Sequence, residues 1–361
     1  MIKFLLISNM YPTEQNPGYG IFVKNISDNL GKYGIKESSK VIIKGKSKSR
    51  FDKIKKYLYF YSQLLVKFWK KYDFIYIHFP NQALPILYPL LHLRRQKLII
   101  NLHGEDLMYK SEGYSNLLGK LMEKTCYKFA TSIIVPSFYF KNIIVQREII
   151  TSDKIIVSPS GGINENIFTP KDIDSIGNNT LLLGYVGRLE KDKGILEYLQ
   201  VCKYLNLEGF DFSGIIIGYG SQYDYTEKFL VDNNLSQKIE LIPGVAQSKL
   251  GNFYRKMDLL LFNSSRASES LGLTGIEAMA CGTPVIGSRI GGISTYIHDG
   301  YNGWLTPLHD IEAIVSTIKL YTNLSQDKKI YMYHNCVTTG ERYYSEMVTK
   351  DLAYKLIEII K

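Results

Sequence analysis

Three things are scarce in this 361-residue sequence. Its four cysteines, Cys126, Cys202, Cys281 and Cys336, stand far apart and form no CxxC pair. Neither a zinc site nor a disulfide framework is indicated, which fits a reducing cytosol. Long hydrophobic runs are also missing. The greasiest stretch, Ala83 to Leu93, has about half the length needed to cross a bilayer and is followed by Arg94 and Arg95. Met1 to Ser8 carries one Lys and a short apolar run, which reads as a buried first strand and not as a signal peptide. The third scarcity is local: from Lys40 to Lys71 eleven Lys or Arg face a single acid, Asp52. That net of +10 equals the excess of the whole chain (44 basic minus 34 acidic), so the remainder is close to neutral. A local cationic surface points to a local anionic partner: nucleic acid, an anionic membrane or a phosphorylated acceptor.

What is present is an ordinary globular composition, 45% hydrophobic and 22% charged, in a chain too long for one comfortable core. Short apolar runs alternate with helical patterns. Strands are predicted at Lys3–Ser8, Phe74–His78, Lys97–Leu102, Ser132–Pro136 and Ile155–Ser158. A second series follows at Leu181–Val186, Gly214–Ile217, Ile239–Ile242, Leu259–Phe262 and Pro284–Gly287. Strands alternating with helices imply α/β domains with parallel, doubly wound sheets. The polar stretch 164–179, with Pro170 and Gly177, reads as the hinge between two similar lobes.

Within the basic segment, Ile54, Tyr57, Leu58, Tyr61, Leu64, Leu65 and Phe68 recur every three to four residues as one apolar stripe. A helix packed on its own sheet with a solvated lysine face accounts for that pattern. A membrane-facing role is compatible with it, because the polar rim and the loop Lys44–Arg50 stay free. No recognised motif supports nucleic-acid binding, so none is expected.

The most informative passage is Ser264–Gly292, directly after the predicted strand Leu259–Phe262. Glu269 opens a loop in which Gly272 and Gly275 let the backbone approach a ligand closely. Thr274 reads as the N-cap of a helix over 276–280. A helix start after such a loop offers free N–H groups and a positive dipole end to a diphosphate. Glu277 falls in the first turn, where two acceptor oxygens suit a vicinal diol such as ribose, while Glu269 would reach a sugar. A lone first-turn glutamate serves the helix dipole equally well. A second passage, Gly187-Arg188-Leu-Glu-Lys-Asp-Lys193-Gly194, follows the strand Leu181–Val186. Two cations at a strand end can neutralise a departing diphosphate, although an Arg and a Lys near a turn are commonly just surface charge. No cluster of Asp, His or Cys suggests a metal, and these two cations supply the charge a divalent ion would bring.

Glu269-x7-Glu277, followed by Ala278-Met-Ala-Cys-Gly-Thr-Pro-Val285 and Gly291-Gly292, resembles the signature of GT-B glycosyltransferases, especially glycosyltransferase family 4. The resemblance implies two Rossmann-like domains facing each other across a cleft. Residues 1–165 would form the acceptor-side domain, 166–340 the nucleotide-sugar domain, and 341–361 a last helix crossing back to the first. It implies that Glu269 contacts the donor sugar and Glu277 the ribose, with Ser270, Leu271, Gly272, Leu273 and Thr274 along the phosphate and sugar. Gly187, Arg188 and Lys193 resemble the family's diphosphate element, Gly218-Tyr-Gly220 its nucleotide-side loop, and Pro243-Gly244-Val245 the segment that reads the base. In the first lobe His103-Gly104-Glu105-Asp106 resembles a His-Gly-x-Asp whose histidine lines the reaction site. Tyr11-Pro12 through Gly18-Tyr-Gly20 resembles the family's mobile glycine-rich loop near donor and acceptor, which implies donor binding at Gly18 and Gly20. One departure is Pro159-Ser160-Gly161-Gly162, where the family commonly has Pro-Asn-Gly.

The implied reaction moves a sugar, with retention, from a UDP- or GDP-linked donor substrate to a hydroxyl of a glycan or lipid-linked acceptor. No separate cofactor and no metal are expected. The sequence nominates no second carboxylate as a nucleophile. A basic acceptor lobe suggests an anionic or lipid-linked acceptor, and so a cytoplasmic bacterial enzyme, peripheral at the inner membrane face, building surface polysaccharide or glycolipid. A sugar-nucleotide epimerase of the same fold and a non-catalytic sugar-nucleotide-binding subunit stay open as alternatives.

Overall fold

The computed structural model describes residues 1–16, 18–104, 106, 125–177 and 180–361. They form two compact units, one of Met1–Gly162 with Glu346–Lys361, the other Ile163–Ser345.

The first unit is a six-stranded parallel sheet in the order β2-β1-β3-β4-β5-β6. Its strands are β1 (Ile2–Tyr11), β2 (Ile35–Lys44), β3 (Phe74–His78), β4 (Leu98–Asn101), β5 (Ser132–Val135) and β6 (Ile155–Val157). Helices α1 (Ile21–Gly31), α2 (Arg50–Lys67), α3 (Leu84–Leu93) and α4 (Phe138–Gln146) belong to it. Alternation along β1 sends Leu5 and Ile7 to a core shared with Phe60 and Leu64 of α2, and Phe4 and Leu6 to another shared with Val23 and Ile26 of α1. That double burial is why the central strands read as continuous apolar runs. Leu352, Ala353 and Leu356, near the chain's end, join the α1-side core of this unit.

The second unit is also a six-stranded parallel sheet, ordered β12-β11-β10-β7-β8-β9. It comprises β7 (Leu181–Val186), β8 (Phe212–Ile217), β9 (Ile239–Ile242), β10 (Leu259–Phe262), β11 (Val285–Ser288) and β12 (Gly303–Thr306). Interleaved are α5 (Ile195–Leu207), α6 (Tyr223–Asp232), α7 (Gln247–Tyr254), α8 (Leu273–Ala280) and α9 (Ile311–Thr322); α10 (Gln326–Glu341) follows. Winding reverses once in each sheet, between β1 and β3 and between β7 and β10. In open α/β sheets ligands bind at the carboxyl ends of the strands flanking such a reversal.

Every predicted strand is present, with ends shifted by at most a few residues. The two strands the sequence did not reveal, β2 and β12, are the outermost of their sheets on one side. β2 runs polar from Lys36 to Lys40 before its apolar end, and β12, Gly303–Thr306, has only Trp304 and Leu305 between Gly and Thr, so neither offers the apolar run that marked the others. The stretch after Gly162 packs into the second unit, with Ile163 and Phe168 in its core. The single apolar stripe expected on α2 is corrected: Phe60, Leu64 and Phe68 are buried, whereas Ile54, Leu58 and Leu65 are exposed. Likewise the last helix, α11 (Ser345–Ile360), buries Val348 and Leu352 but leaves Met347 in solvent.

Candidate active site

At the reversal in the second unit the backbone is pressed together by glycines. Gly187 follows β7 and Gly218 follows β8; a Cβ on Gly218 would lie 1.8 Å from the Gly187 carbonyl oxygen. Gly194 caps α5 in the left-handed conformation, φ 84°, and a Cβ there would meet the Asn263 carbonyl at 2.5 Å. These contacts set the loop after β7 directly against the loop after β10.

An ion pair fastens the same two loops. Lys193 Nζ lies 2.5 Å from Glu269 Oε2. The Ser264 hydroxyl donates to the same oxygen at 3.0 Å, and Arg266 Nε pairs with Asp192 Oδ2 at 3.0 Å. Two motifs read separately from the sequence are therefore one cluster. Lys193 is consequently not a free cation: its charge is matched by Glu269. Arg188 is exposed and its guanidinium makes no ion pair among the described residues.

The helix after this loop departs from expectation. α8 begins at Leu273 with Gly272 as its cap, φ 77°, so Thr274 is its second residue and not the N-cap. Phe262 and Ile293 press on Gly272 so closely that a Cβ would stand 2.5 Å from the Phe262 ring. Only glycine fits, which displaces the expected side-chain cap. Glu277 therefore sits in the second turn and is buried. Its Oε2 accepts from the Tyr254 hydroxyl at 3.0 Å and its Oε1 from Gln247 Nε2 at 3.4 Å. Ser270 and Leu271 are held from behind, since a Cβ on Gly292 would lie 2.2 Å from the Ser270 carbonyl. The first N–H groups of α8, on Leu273 and Thr274, have no acceptor within their own helix. Val245 is half-buried against the unit's core, and Tyr219, between Gly218 and Gly220, is exposed. Tyr254 and Gln247 were missed in the sequence because they belong to no motif, and only the packing of α7 beside α8 brings them to Glu277. Ser264 opens the informative passage, but nothing in the sequence marked its bond to Glu269.

In the first unit, the ends of β3 and β4 carry a histidine pair. His78 Nδ1 and His103 Nε2 are 3.0 Å apart. The His103 ring stacks on His78 and packs against the tilted rings of Phe22 and Phe79, with centroids 4.7 and 4.6 Å away. Asp106 accepts from the His103 backbone N–H at 2.8 Å; Glu105 lies outside the described residues. Phe79 is left-handed, φ 54°, a conformation costly for a bulky side chain. Gly20 caps α1 at φ 71°, where a Cβ would strike the Met10 carbonyl carbon at 2.6 Å, so it serves a close approach and not the expected mobility. Gly18 has open space around it. Ser160, where the resembled motif has Asn, is left-handed at φ 46°.

Residues 169–337 match the model of the glycosyl transferases group 1, and residues 27–161 that of glycosyltransferase family 4. The chain belongs to the group 1 glycosyltransferases of the GT-B fold. It is 29% identical over 264 residues to an uncharacterised glycosyltransferase of Methanocaldococcus jannaschii, a match covering 69% of this chain and 68% of the relative. It is 26% identical over 253 residues to the capsular polysaccharide biosynthesis glycosyltransferase CapM of Staphylococcus aureus, covering 67% of this chain and 65% of that one. The structure of Anabaena HepE in complex with UDP superposes with a TM-score of 0.74 at 16% identity, covering 99% of this chain and 100% of that one. At that identity the likeness speaks for the fold alone.

The glycosyltransferase keeps three buried titrating groups at these strand ends. Burial raises the Glu277 carboxyl to about 7, against the opposing hydrogen bonds from Tyr254 and Gln247. Burial lowers His103 to about 3, and burial together with the neighbouring His103 ring holds His78 well below the usual imidazole range. The histidine pair is thus uncharged at neutral pH, and its 3.0 Å contact is a neutral hydrogen bond.

Proposed function

We propose that the chain transfers a glycosyl group, with retention, from a UDP- or GDP-linked sugar to a hydroxyl of a glycan or lipid-linked acceptor. The setting is the assembly of a bacterial surface polysaccharide or glycolipid at the inner membrane face. The observation that carries the donor site is the Lys193–Glu269 pair, which joins the two nucleotide-sugar motifs at the point of winding reversal. The names of CapM and of the UDP complex of HepE lend support to the polysaccharide setting and the donor class.

In this reading the α8 start and the backbone from Ser270 to Thr274 receive phosphate or sugar oxygens, and Glu277 receives the ribose hydroxyls. Glu269, oriented by Lys193 and Ser264, holds the sugar. The close backbone of Gly187 and Gly218 leaves room for the nucleotide, whose base is read beside Val245. As the anomeric carbon–oxygen bond to the diphosphate breaks, Arg188 and Lys193 stabilise the negative charge on the departing oxygen. The acceptor oxygen bonds to the anomeric carbon, and its proton passes to the diphosphate. His103 belongs to the acceptor side, where a neutral imidazole can accept a hydrogen bond from a hydroxyl, while Gly18 and Gly20 belong with the donor. No step requires a metal, and activity is expected to persist in chelator.

Thermal unfolding against UDP, GDP, ADP and their sugar conjugates tests the reading. A ligand at roughly a hundred times its dissociation constant adds about 2.7 kcal/mol to stability. A shift with one base, lost in Glu277→Ala, would fix the donor class. Conversion of the nucleotide sugar without any acceptor would instead overturn transfer in favour of epimerisation.

A further inference from the structure

Helix α2 has two apolar faces, and its own sheet uses only one. Phe60, Leu64 and Phe68 recur four residues apart and are buried in the core under the helix. On the opposite side Phe51, Ile54, Leu58, Leu65, Val66 and Trp69 stand in solvent, with Phe51 78%, Leu58 65% and Trp69 50% exposed. Spacings of three, four and seven residues place Phe51, Ile54, Leu58 and Leu65 along one line of the helix, with Ser62 between the last two, and Trp69 follows just past the helix end. Single exposed apolar residues are ordinary, but a contiguous row of this kind marks a surface that meets a partner.

The charges around the row identify that partner. Of the exposed cations Arg50 precedes it, Lys55 falls along it, and Lys70 and Lys71 follow its end, whereas Lys56 and Lys67 donate to the backbone carbonyls of Lys46 and Lys40. Asp52, the only acid from Lys40 to Lys71, is already taken up by Lys56 at 3.3 Å. A second copy of this face would bring cations against cations, which argues against self-pairing. Nucleic acid would satisfy the lysines but leave the Ile, Leu and Val side chains without use. An anionic bilayer satisfies both: apolar side chains enter the acyl boundary, a Trp sits at the interface, and lysines reach up to lipid phosphates.

We infer that the outer face of α2 docks the chain on anionic lipid, with Phe51, Leu58, Leu65 and Trp69 entering the bilayer. This rests on the proposed membrane setting for the identity of its partner, and not on the transfer reaction. The test compares the parent with Phe51→Ser/Leu58→Ser/Leu65→Ser, a triple change confined to exposed positions, by flotation with phosphatidylglycerol–phosphatidylcholine vesicles. The parent is expected to float with these, less with phosphatidylcholine alone and less at high salt. The triple variant is expected to lose at least about tenfold in partitioning, with its thermal midpoint and its stabilisation by UDP or GDP unchanged. The chain has two tryptophans, and Trp304 is buried, so a blue shift of emission on adding vesicles reports Trp69. Equal flotation of parent and triple variant would overturn the inference. So would self-association, abolished by the triple change, in a parent that does not float. Flotation with the tryptophan shift but no response to any nucleotide supports docking while counting against the proposed transfer.

Discussion

Each sheet reverses its winding once, and the strand ends at the two reversals carry contrasting chemistry. After β7, β8 and β10 the ligand-side surface is made largely by backbone, with Gly194, Gly218 and Gly272 placed where a Cβ has no room. Its two carboxylates are held differently: Glu269 is paired with Lys193, and Glu277 is buried with its carboxyl raised. After β3 and β4 the surface is made by rings: two histidines in contact, flanked by Phe22 and a left-handed Phe79. A site shaped by backbone suits phosphates, which many N–H groups can bind alike. A site shaped by rings imposes the outline of one ligand, which is what selection of an acceptor requires.

The largest effect expected from this contrast lies at Arg188. Its guanidinium makes no ion pair among the described residues, whereas Lys193 is paired with Glu269. Arg188→Ala is therefore expected to lower kcat by about 10²–10³-fold, with a smaller change in KM. A near-normal turnover number for Arg188→Ala would remove its role in leaving-group stabilisation.

Next in size, the two units are expected to respond to acid in opposite directions. His103 and His78 are held below their unfolded values, so the stability they contribute is full above pH 6.5 and is lost as pH falls toward the folded values. Glu277 is raised from 4.5 to about 7, so its contribution is full below pH 4.5 and is lost as pH rises through 7. Between pH 7 and pH 5 the contributions of His103 and Glu277 each change by roughly 2 kcal/mol, with opposite sign. Hydrogen exchange followed on peptides covering β3 and β10 reads the two units separately. Protection at β3 should weaken on acidification while that at β10 holds or grows; parallel loss in both would break the contrast.

Glu277→Gln sharpens the same point from within the second unit. The amide removes the cost of a buried carboxylate, so the midpoint at pH 8 should not fall, yet UDP or GDP affinity should drop about tenfold or more. In the parent, nucleotide affinity should rise with pH up to about 7, because ribose hydroxyls are received by the ionised form. Calorimetry in buffers of different ionisation enthalpy would show the accompanying proton release near pH 6–7.

How much of this was legible in the sequence follows the same division. The second unit's site was readable because its residues sit in two contiguous motifs, and glycines in a loop announce close approach. Even there Thr274 misled, since a good capping residue was overruled by the press of Phe262 on Gly272. The first unit's site was hardly readable: His103 stood out beside Gly104, but His78 and Phe79 look like the end of any buried strand. β2 and β12 escaped because β2 is polar over Lys36–Lys40 and β12 offers only Trp304 and Leu305 as apolar residues, whereas β6, equally an outer strand, is wholly apolar. The outer row on α2 was folded into a single stripe because periodicity alone does not say which of two apolar faces a sheet will cover.

The smallest effect concerns two left-handed residues of the first unit that are not glycine. Ser160, at φ 46°, sits where the resembled motif places Asn. Asn tolerates that conformation better, because its short amide can bond to nearby backbone. Ser160→Asn is expected to stabilise by about 0.5 kcal/mol, a rise of about 1–2 °C in Tm. Phe79, at φ 54°, should behave differently. Glycine there relieves the backbone but removes the ring packed against His103, so Phe79→Gly should lower stability and activity together. If Phe79→Gly instead raised Tm and left turnover intact, the strain would have no counterpart in the ring cluster, and the view of that surface as shaped by side chains would fail.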